Sequence, residues 1–293
     1  MPTSVARTGG NLPNGAFIPE IWAQRLNDKY YAQCFLPEIT NSNYTGNITG
    51  KGGSVKIRNR PTVQINKHVV GAPIKYQDIT DTFVELFINQ ANEFAFQIDD
   101  VDAAQSDINI MNELTIDASY QAKIAVEIQV LGSIYGDAGV VLPSTAITSA
   151  NVLAWLIQAE VALEKANTPP SDRWVVLPPE IGGMIQLSDL KNVYMTGDAK
   201  TILRGEMSNG RIGMIGSMEV YISNNLTTIG GVTQCLAGHK SAVTYASQFT
   251  NLKTLTLQDY HADAIRGLNV FGFKTLIPGA LVSLPATYPA IGN

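Results

Sequence analysis

With 293 residues, a formal net charge of −5 at pH 7 and a pI near 5.2, the chain is long enough to bury one large core or two modest ones. Only 15% of residues are charged against 45% hydrophobic, a surface sparing of charge that points to contact with other protein. The acidic balance excludes a strong nucleic-acid binder, which needs a basic excess to neutralise phosphates. No run of about 18 apolar residues occurs and the N-terminus lacks an apolar signal core, so the chain reads as a soluble protein made and kept in a cytoplasm, with no membrane segment.

Residues 1–16, rich in Gly, Pro, Ser, Thr and Asn, read as a mobile arm. "FIPEIWAQRLNDKYY" then predicts a helix, with Pro19 in its first turn, Glu20 at the positive end of the dipole and Ile21, Trp22, Leu26 and Tyr30 as an apolar face. From Thr45 to Lys75, short β-like runs alternate with glycines. Val55 and Ile57, then Val63 and Ile65, alternate with polar residues and predict a two-stranded ribbon that cannot be stable alone.

The charges of this region are segregated. Lys51, Lys56, Arg58, Arg60, Lys67 and Lys75 carry six positive charges on a stretch without an acid. Between Tyr76 and Asp117 lie ten acids and no Lys or Arg: Asp78, Asp81, Glu85, Glu93, Asp99, Asp100, Asp102, Asp107, Glu113 and Asp117. Two solvated faces would explain this; so would a basic ribbon lying on the acidic body of a neighbouring subunit, at Asp99, Asp100, Asp102 and Asp107.

"TFVELFINQ" and "EFAFQI" predict strands. In "FAFQIDDVDAAQSD", Asp99 or Asp100 is placed to cap a helix and Asp102 to sit in its first turn. Ala104, Ile108, Met111, Leu114, Ala118, Ala122, Ala125 or Val126 and Gln129 then recur at helical spacing to about Leu131, a helix of ~45–50 Å. Asp100-Val101-Asp102 can also be read as a DxD metal motif. That motif wants a loop after a nucleotide-binding parallel strand, whereas a ribbon and meander strands precede it here.

Further on, "ITSANVLAWLIQAEVALEKANTPP" predicts a helix started by Ser149 or Asn151 and ended before Pro169. "RWVVLPPEIGGMIQL" predicts a buried strand at 174–177 turning through Pro178 and Pro179 into another helix. "GSMEVYISNNL" and "QCLAGHKSAVTYA" read as strands around a glycine turn, and "ADAIRGLNVFGFKTLIPGALVSL" as two or three strands punctuated by Gly267, Gly272 and Gly279. The fold class is α+β.

Catalytic signatures are missing. His68, His239 and His261 have no metal-ligand spacing, and Gly210, Gly213 and Gly216 match no phosphate-binding loop. Cys34 and Cys235 lie far apart and read as two free buried thiols. Asn43, Asn47 and Asn225 match the glycosylation pattern but read as polar loop residues. No cofactor is expected, and the chain reads as a non-enzyme.

The segments "FIPEIWAQRL", "FAFQIDDVDAAQSD", "RWVVLPPEIGGMIQL", "RIGMIGSMEVYISNNL" and "GHKSAVTYASQF" followed by "GLNVFGFKTLIP" resemble, in order and pattern, the major capsid proteins of tailed bacteriophages with the Hong Kong 97-type fold. The resemblance covers about residues 17–285. It implies an N-terminal arm at 1–16, an N-terminal helix region at 17–44 and an extended loop at 45–77. A peripheral domain at 78–139 would hold a spine helix at 99–131, followed by an axial domain at 140–248 and return strands with a C-terminal tail at 249–293. It further implies self-assembly into hexamers and pentamers of an icosahedral shell around double-stranded DNA, made in the host bacterial cytoplasm and located in the virion. Expected partners are other copies of the chain, a separate scaffolding protein, portal and decoration proteins, and DNA by weak non-specific contact. Some relatives cross-link a ribbon lysine to an asparagine; Lys51 or Lys56 could stand there, but no matching motif is present. Two alternatives remain: an encapsulin-like nanocompartment shell that shares the fold, and a metal-dependent glycosyltransferase using Asp100 and Asp102.

Overall fold

The structure is a computed structural model and describes residues 31–43, 54–58, 61, 63–68, 76–78, 82–99, 110–188, 211–256 and 262–289. Among these the chain runs α1 (Leu36–Ile39), β1 (Ser54–Arg58), β2 (Phe83–Phe87), β3 (Gln90–Asp99), α2 (Ile110–Ile134), β4 (Val140–Val141), β5 (Thr145–Ala146), α3 (Val152–Lys165), β6 (Arg173–Leu177) and α4 (Pro179–Leu187). It continues through β7 (Arg211–Ile215), β8 (Met218–Ile222), β9 (Thr228–Ile229), β10 (Val232–His239), β11 (Val243–Thr256), β12 (Ala262–Thr275) and β13 (Leu281–Thr287). The expected arm at 1–16 and the expected helix from Phe17 to Tyr30 lie outside the described residues.

The strands make three sheets. Eight form a mixed sheet with the path β4-β13-β10-β6-β8-β7, on which β5 also pairs with β13 and β9 with β10; β11-β12-β3 is antiparallel; β1-β2 stands apart as a two-stranded ribbon. The centre of the large sheet follows from "RWVVL", whose five residues are all buried, as a strand covered on both faces requires. Val175 and Leu177 belong to one apolar cluster, with Trp155, Leu156 and Ala159 of α3 and Ile181 and Ile185 of α4. Trp174 and Val176 belong to the other, with Val126, Val130, Leu131 and Ile134 of α2 and Phe35, Leu36 and Ile39 of the N-terminal segment.

Helix α3 buries Val152, Trp155, Leu156, Ala159 and Leu163, a single stripe at steps of three and four. Asn151 precedes it, but its side chain braces the preceding turn, Oδ1 accepting from Thr148 N at 2.8 Å and Nδ2 donating to Ala146 O at 2.8 Å. The helix ends where Asn167 turns to φ 55°, a left-handed position that Asn tolerates. Helix α4 opens with Pro179 in its first turn, where the missing N–H costs nothing.

Two expectations about strands change. Gly267 and Gly272 do not break a strand: β12 runs 14 residues through both. Gly267 faces Phe94 in register, and that ring occupies the space a Cβ would need. At Gly272 the backbone of Phe87 and Ile88 passes so close that a Cβ would meet the Phe87 carbonyl. The glycine turn lies at Gly230 and Gly231, with φ of 59° and 80°, the pattern of a tight hairpin.

Helix α2 also differs in its buried face. Among the described side chains the fully buried positions are Val126, Glu127, Val130, Leu131 and Ile134, whereas Leu114 and Gln129 of the expected stripe are exposed and Ala118, Ala122 and Ala125 half-buried. The alanines read as a core stripe by spacing alone, but the bulkier residues took the deeper position. Residues 100–109 lie outside the described residues, and with them the expected caps Asp100 and Asp102; Asp99 is the last residue of β3, opposite Ala262.

Candidate assembly surface

The ribbon forms otherwise than its alternation predicts. Val55 and Ile57 do not pair with Val63 and Ile65; Val55 pairs with Leu86 and Ile57 with Val84. Residues 63–68 continue the first arm, and "TFVELF" supplies the return arm. Pro61 has no N–H to donate, so a continuous ladder cannot run through it. Beyond it the arms still meet in step. Extending the β1-β2 register outward places Gln77 opposite Gln64, and there the Gln77 carboxamide makes the rung itself: Gln64 N donates to Oε1 at 3.1 Å and Nε2 donates to Gln64 O at 2.6 Å.

Among the described residues only the ribbon root has a core. Ile57, Leu86 and Ala246 are buried together, with Val55, Ile88 and Leu276 against them. Outward of that root every described residue is exposed, including Ile65 at 92% and Tyr76 at 93%, while Phe83 and Phe87 are more than half exposed. Among the described residues no sheet or helix lies beneath this part of the ribbon, and an exposed apolar surface of this kind is the usual mark of a protein contact.

The charged residues singled out above are placed in part. Lys56, Arg58 and Lys67 are exposed on the first arm, whereas Lys51, Arg60, Lys75, Asp100, Asp102 and Asp107 lie outside the described residues. Lys56 stands opposite Glu85 in register and its Nζ lies 4.9 Å from the centre of the Phe83 ring; Ser54 Oγ donates to Glu85 Oε1 at 2.6 Å. Three of the ten acids, Asp78, Asp81 and Glu85, therefore belong in sequence to the ribbon's own return arm. Among the described residues the ribbon's basic side chains, Lys56, Arg58 and Lys67, all stand on the first arm.

A second feature went unread in the sequence. Residues 31–36 form a strap along α2, fastened by Glu127, which is 1% exposed. Its Oε2 accepts from Phe35 N at 2.6 Å and Leu36 N at 3.2 Å; its Oε1 accepts from Ser223 Oγ at 3.1 Å and Asn225 Nδ2 at 3.0 Å. Asn225, one of the glycosylation-pattern residues, is thus a buried donor. At the strap's other end Tyr31 donates to Asp117 Oδ1 at 2.8 Å, and its ring stacks on Tyr120 at 4.6 Å. That hydrogen bond to a carboxylate holds the Tyr31 phenol up at about 12. The legible signal was Glu127 itself, the only acid between Asp117 and Asp137, set in the mostly apolar stretch from Ile124 to Leu131.

Other polar groups are absorbed structurally. Arg173, buried, donates to Pro169 O, Thr168 O and Ser217 Oγ, and Ser217 N and Oγ both donate to Glu160 Oε1. His239 Nδ1 lies 2.7 Å from Ser241 Oγ, and burial pushes its pKa down. His68 is exposed on the ribbon and His261 lies outside the described residues. Both cysteines are free; Cys235 is buried but Cys34 only half so, and burial pushes Cys34 up to about 12 and Cys235 higher still. Among the described residues no group of three or more His, Cys, Asp and Glu could hold a metal ion, and no helix is long and apolar enough to cross a membrane.

A mixed sheet with helices on both sides, a long helix and a projecting ribbon too poor in core to stand alone define a subunit built for assembly. Its fold is the one seen in solved bacteriophage capsids. A chain in a solved structure of Mycobacterium phage Che8 is 27% identical and aligns over 94% of this chain and 98% of its own, with a TM-score of 0.76. The capsid structure of cyanophage P-SCSP1u aligns over 94% of each chain at 15% identity and TM-score 0.69, and the capsid of Ralstonia phage GP4 over 99% and 100% at 11% identity and TM-score 0.73. At those lower identities the likeness is one of fold. No protein-family model matches the sequence, and no curated protein does.

Proposed function

We propose that this protein is a structural subunit that self-assembles into the hexamers and pentamers of an icosahedral phage shell of the Hong Kong 97 type, enclosing double-stranded DNA in the virion. The observation that carries the proposal is the whole-chain likeness to the Che8 phage chain at 27% identity. The ribbon's exposed apolar residues add a physical reason: a second copy supplies the cover that the chain itself lacks. On this reading residues 1–16 form the arm, 45–77 the extended loop with its return arm beyond, 78–139 the peripheral domain, 140–248 the axial domain and 249–293 the return strands and tail.

The ribbon's basic residues, Lys51, Lys56, Arg58, Arg60, Lys67 and Lys75, then lie on a neighbour's Asp99, Asp100, Asp102 and Asp107. Exposed pairs contribute only about 0–1 kcal/mol each, so they set register more than affinity. A separate scaffolding protein, a portal and decoration proteins complete the expected partners. The role is structural, not enzymatic.

Light scattering and negative-stain microscopy on the purified protein, expressed alone and with an adjacent scaffolding gene, test the proposal. Closed shells or rings of five and six are expected; a strict monomer under both conditions would overturn it. Shells that enclose a protein cargo instead of DNA would favour a nanocompartment. The double variant Arg58→Glu/Arg60→Glu should fold but fail to assemble normally, and normal shells from it would refute the ribbon's charge role.

A further inference from the structure

The buried stripe of α2 outruns the core. Toward the helix N-terminus, Ile134, Val130, Leu131, Val126 and Glu127 are followed at steps of three and four by Lys123, Tyr120, Ile116 and Glu113, which lie on the same side. Ile116 is 42% exposed and Tyr120 45%. Within the described residues, Tyr31 is the one side chain stacked on this extension.

The strap's course shows what comes next. It is held at Glu127 by Phe35 and Leu36 and at Asp117 by Tyr31. Those acids are ten residues apart on the helix, about 15 Å at 1.5 Å per residue. The four residues from Tyr31 to Phe35 span at most roughly 14 Å. The strap therefore runs parallel to α2, with its Tyr31 end nearer the helix N-terminus, on the side of Ile116 and Glu113.

We infer that this extension is a docking surface for the chain's own residues 18–30, "IPEIWAQRLNDKY", which lie outside the described residues. The chemistry matches: Ile21, Trp22 and Leu26 supply apolar surface for Ile116 and Tyr120, and Arg25 and Lys29 supply cations for Glu113 and Asp117. The inference is read from a single chain and stands apart from the shell reading.

The test replaces Ile116 by p-benzoylphenylalanine in full-length protein, mixing ¹⁴N- and ¹⁵N-labelled subunits before irradiation and peptide mass spectrometry. The expected product joins α2 to residues 18–30 with both halves carrying one isotope. Mixed-isotope products would make a second copy the occupant and overturn the same-chain assignment; products without residues 18–30, or none, would overturn the docking. A second readout uses Trp22, since Trp155 and Trp174 are buried. Acrylamide quenching should rise severalfold in Ile116→Asp, and unchanged quenching would count against the inference.

Discussion

Removing the Glu127 carboxylate gives a direct measure of how the strap is held. In Glu127→Ala four donors lose their acceptor at once: Phe35 N, Leu36 N, Ser223 Oγ and Asn225 Nδ2. The two side-chain donors can turn to other partners, but the two backbone N–H groups are fixed by the start of α1. Each stranded buried donor costs about 1–3 kcal/mol, so the loss should be about 2–6 kcal/mol, a large share of a domain's ordinary stability. Glu127→Gln keeps one oxygen and presents an NH₂ to the remaining pair of donors, so it should lose about half as much. Urea unfolding of dissociated subunits, followed by the fluorescence of buried Trp155 and Trp174, reports the shift in midpoint at constant slope. A loss below about 1 kcal/mol in Glu127→Ala would refute the reasoning, because two stranded backbone donors cannot be that cheap.

Other outcomes follow from the same geometry. Gly272→Ala should cost about 1–3 kcal/mol and displace the ribbon root, because the new Cβ meets the Phe87–Ile88 backbone; a wild-type melting temperature would argue against that close approach. The lowered pKa of His239 makes its contribution to stability fully present above about pH 6.5 and lost as pH falls through the lower folded value. His239→Gln should therefore flatten the stability curve on the acid side of pH 6.5, and an identical slope would exclude that role. With both thiols pushed up by burial, Cys34 and Cys235 should resist a thiol reagent at pH 8 in the folded protein and react on unfolding, so fast native labelling of Cys34 would contradict its environment.

Local physics made much of the fold legible. "RWVVLPP" declares a buried strand and its exit because four apolar residues, Trp174 to Leu177, are followed by two prolines, and α3 declares itself by one apolar stripe. The ribbon's pairing was not legible, since alternation shows which residues share a face but not which strand lies opposite. Val55 and Val63 look like partners across a turn and instead share one arm. Gly267 and Gly272 look like breaks because the groups that fill their space, Phe94 and the Phe87–Ile88 backbone, come from far away in sequence. Glu127 was visible as a lone acid in an apolar run, but its four partners come from 91 to 98 residues away.

The Gln64–Gln77 contact bears on how such a ribbon could be seated. At its root five residue pairs are locked backbone to backbone, as in a stiff beam. Farther out the arms are coupled through a carboxamide on a flexible side chain, whose torsions can take up a change of angle without disturbing the root's ladder. The ribbon is thus a lever with a rigid fulcrum and a compliant blade. Identical subunits carrying it could meet neighbours at different inclinations and still keep one fold.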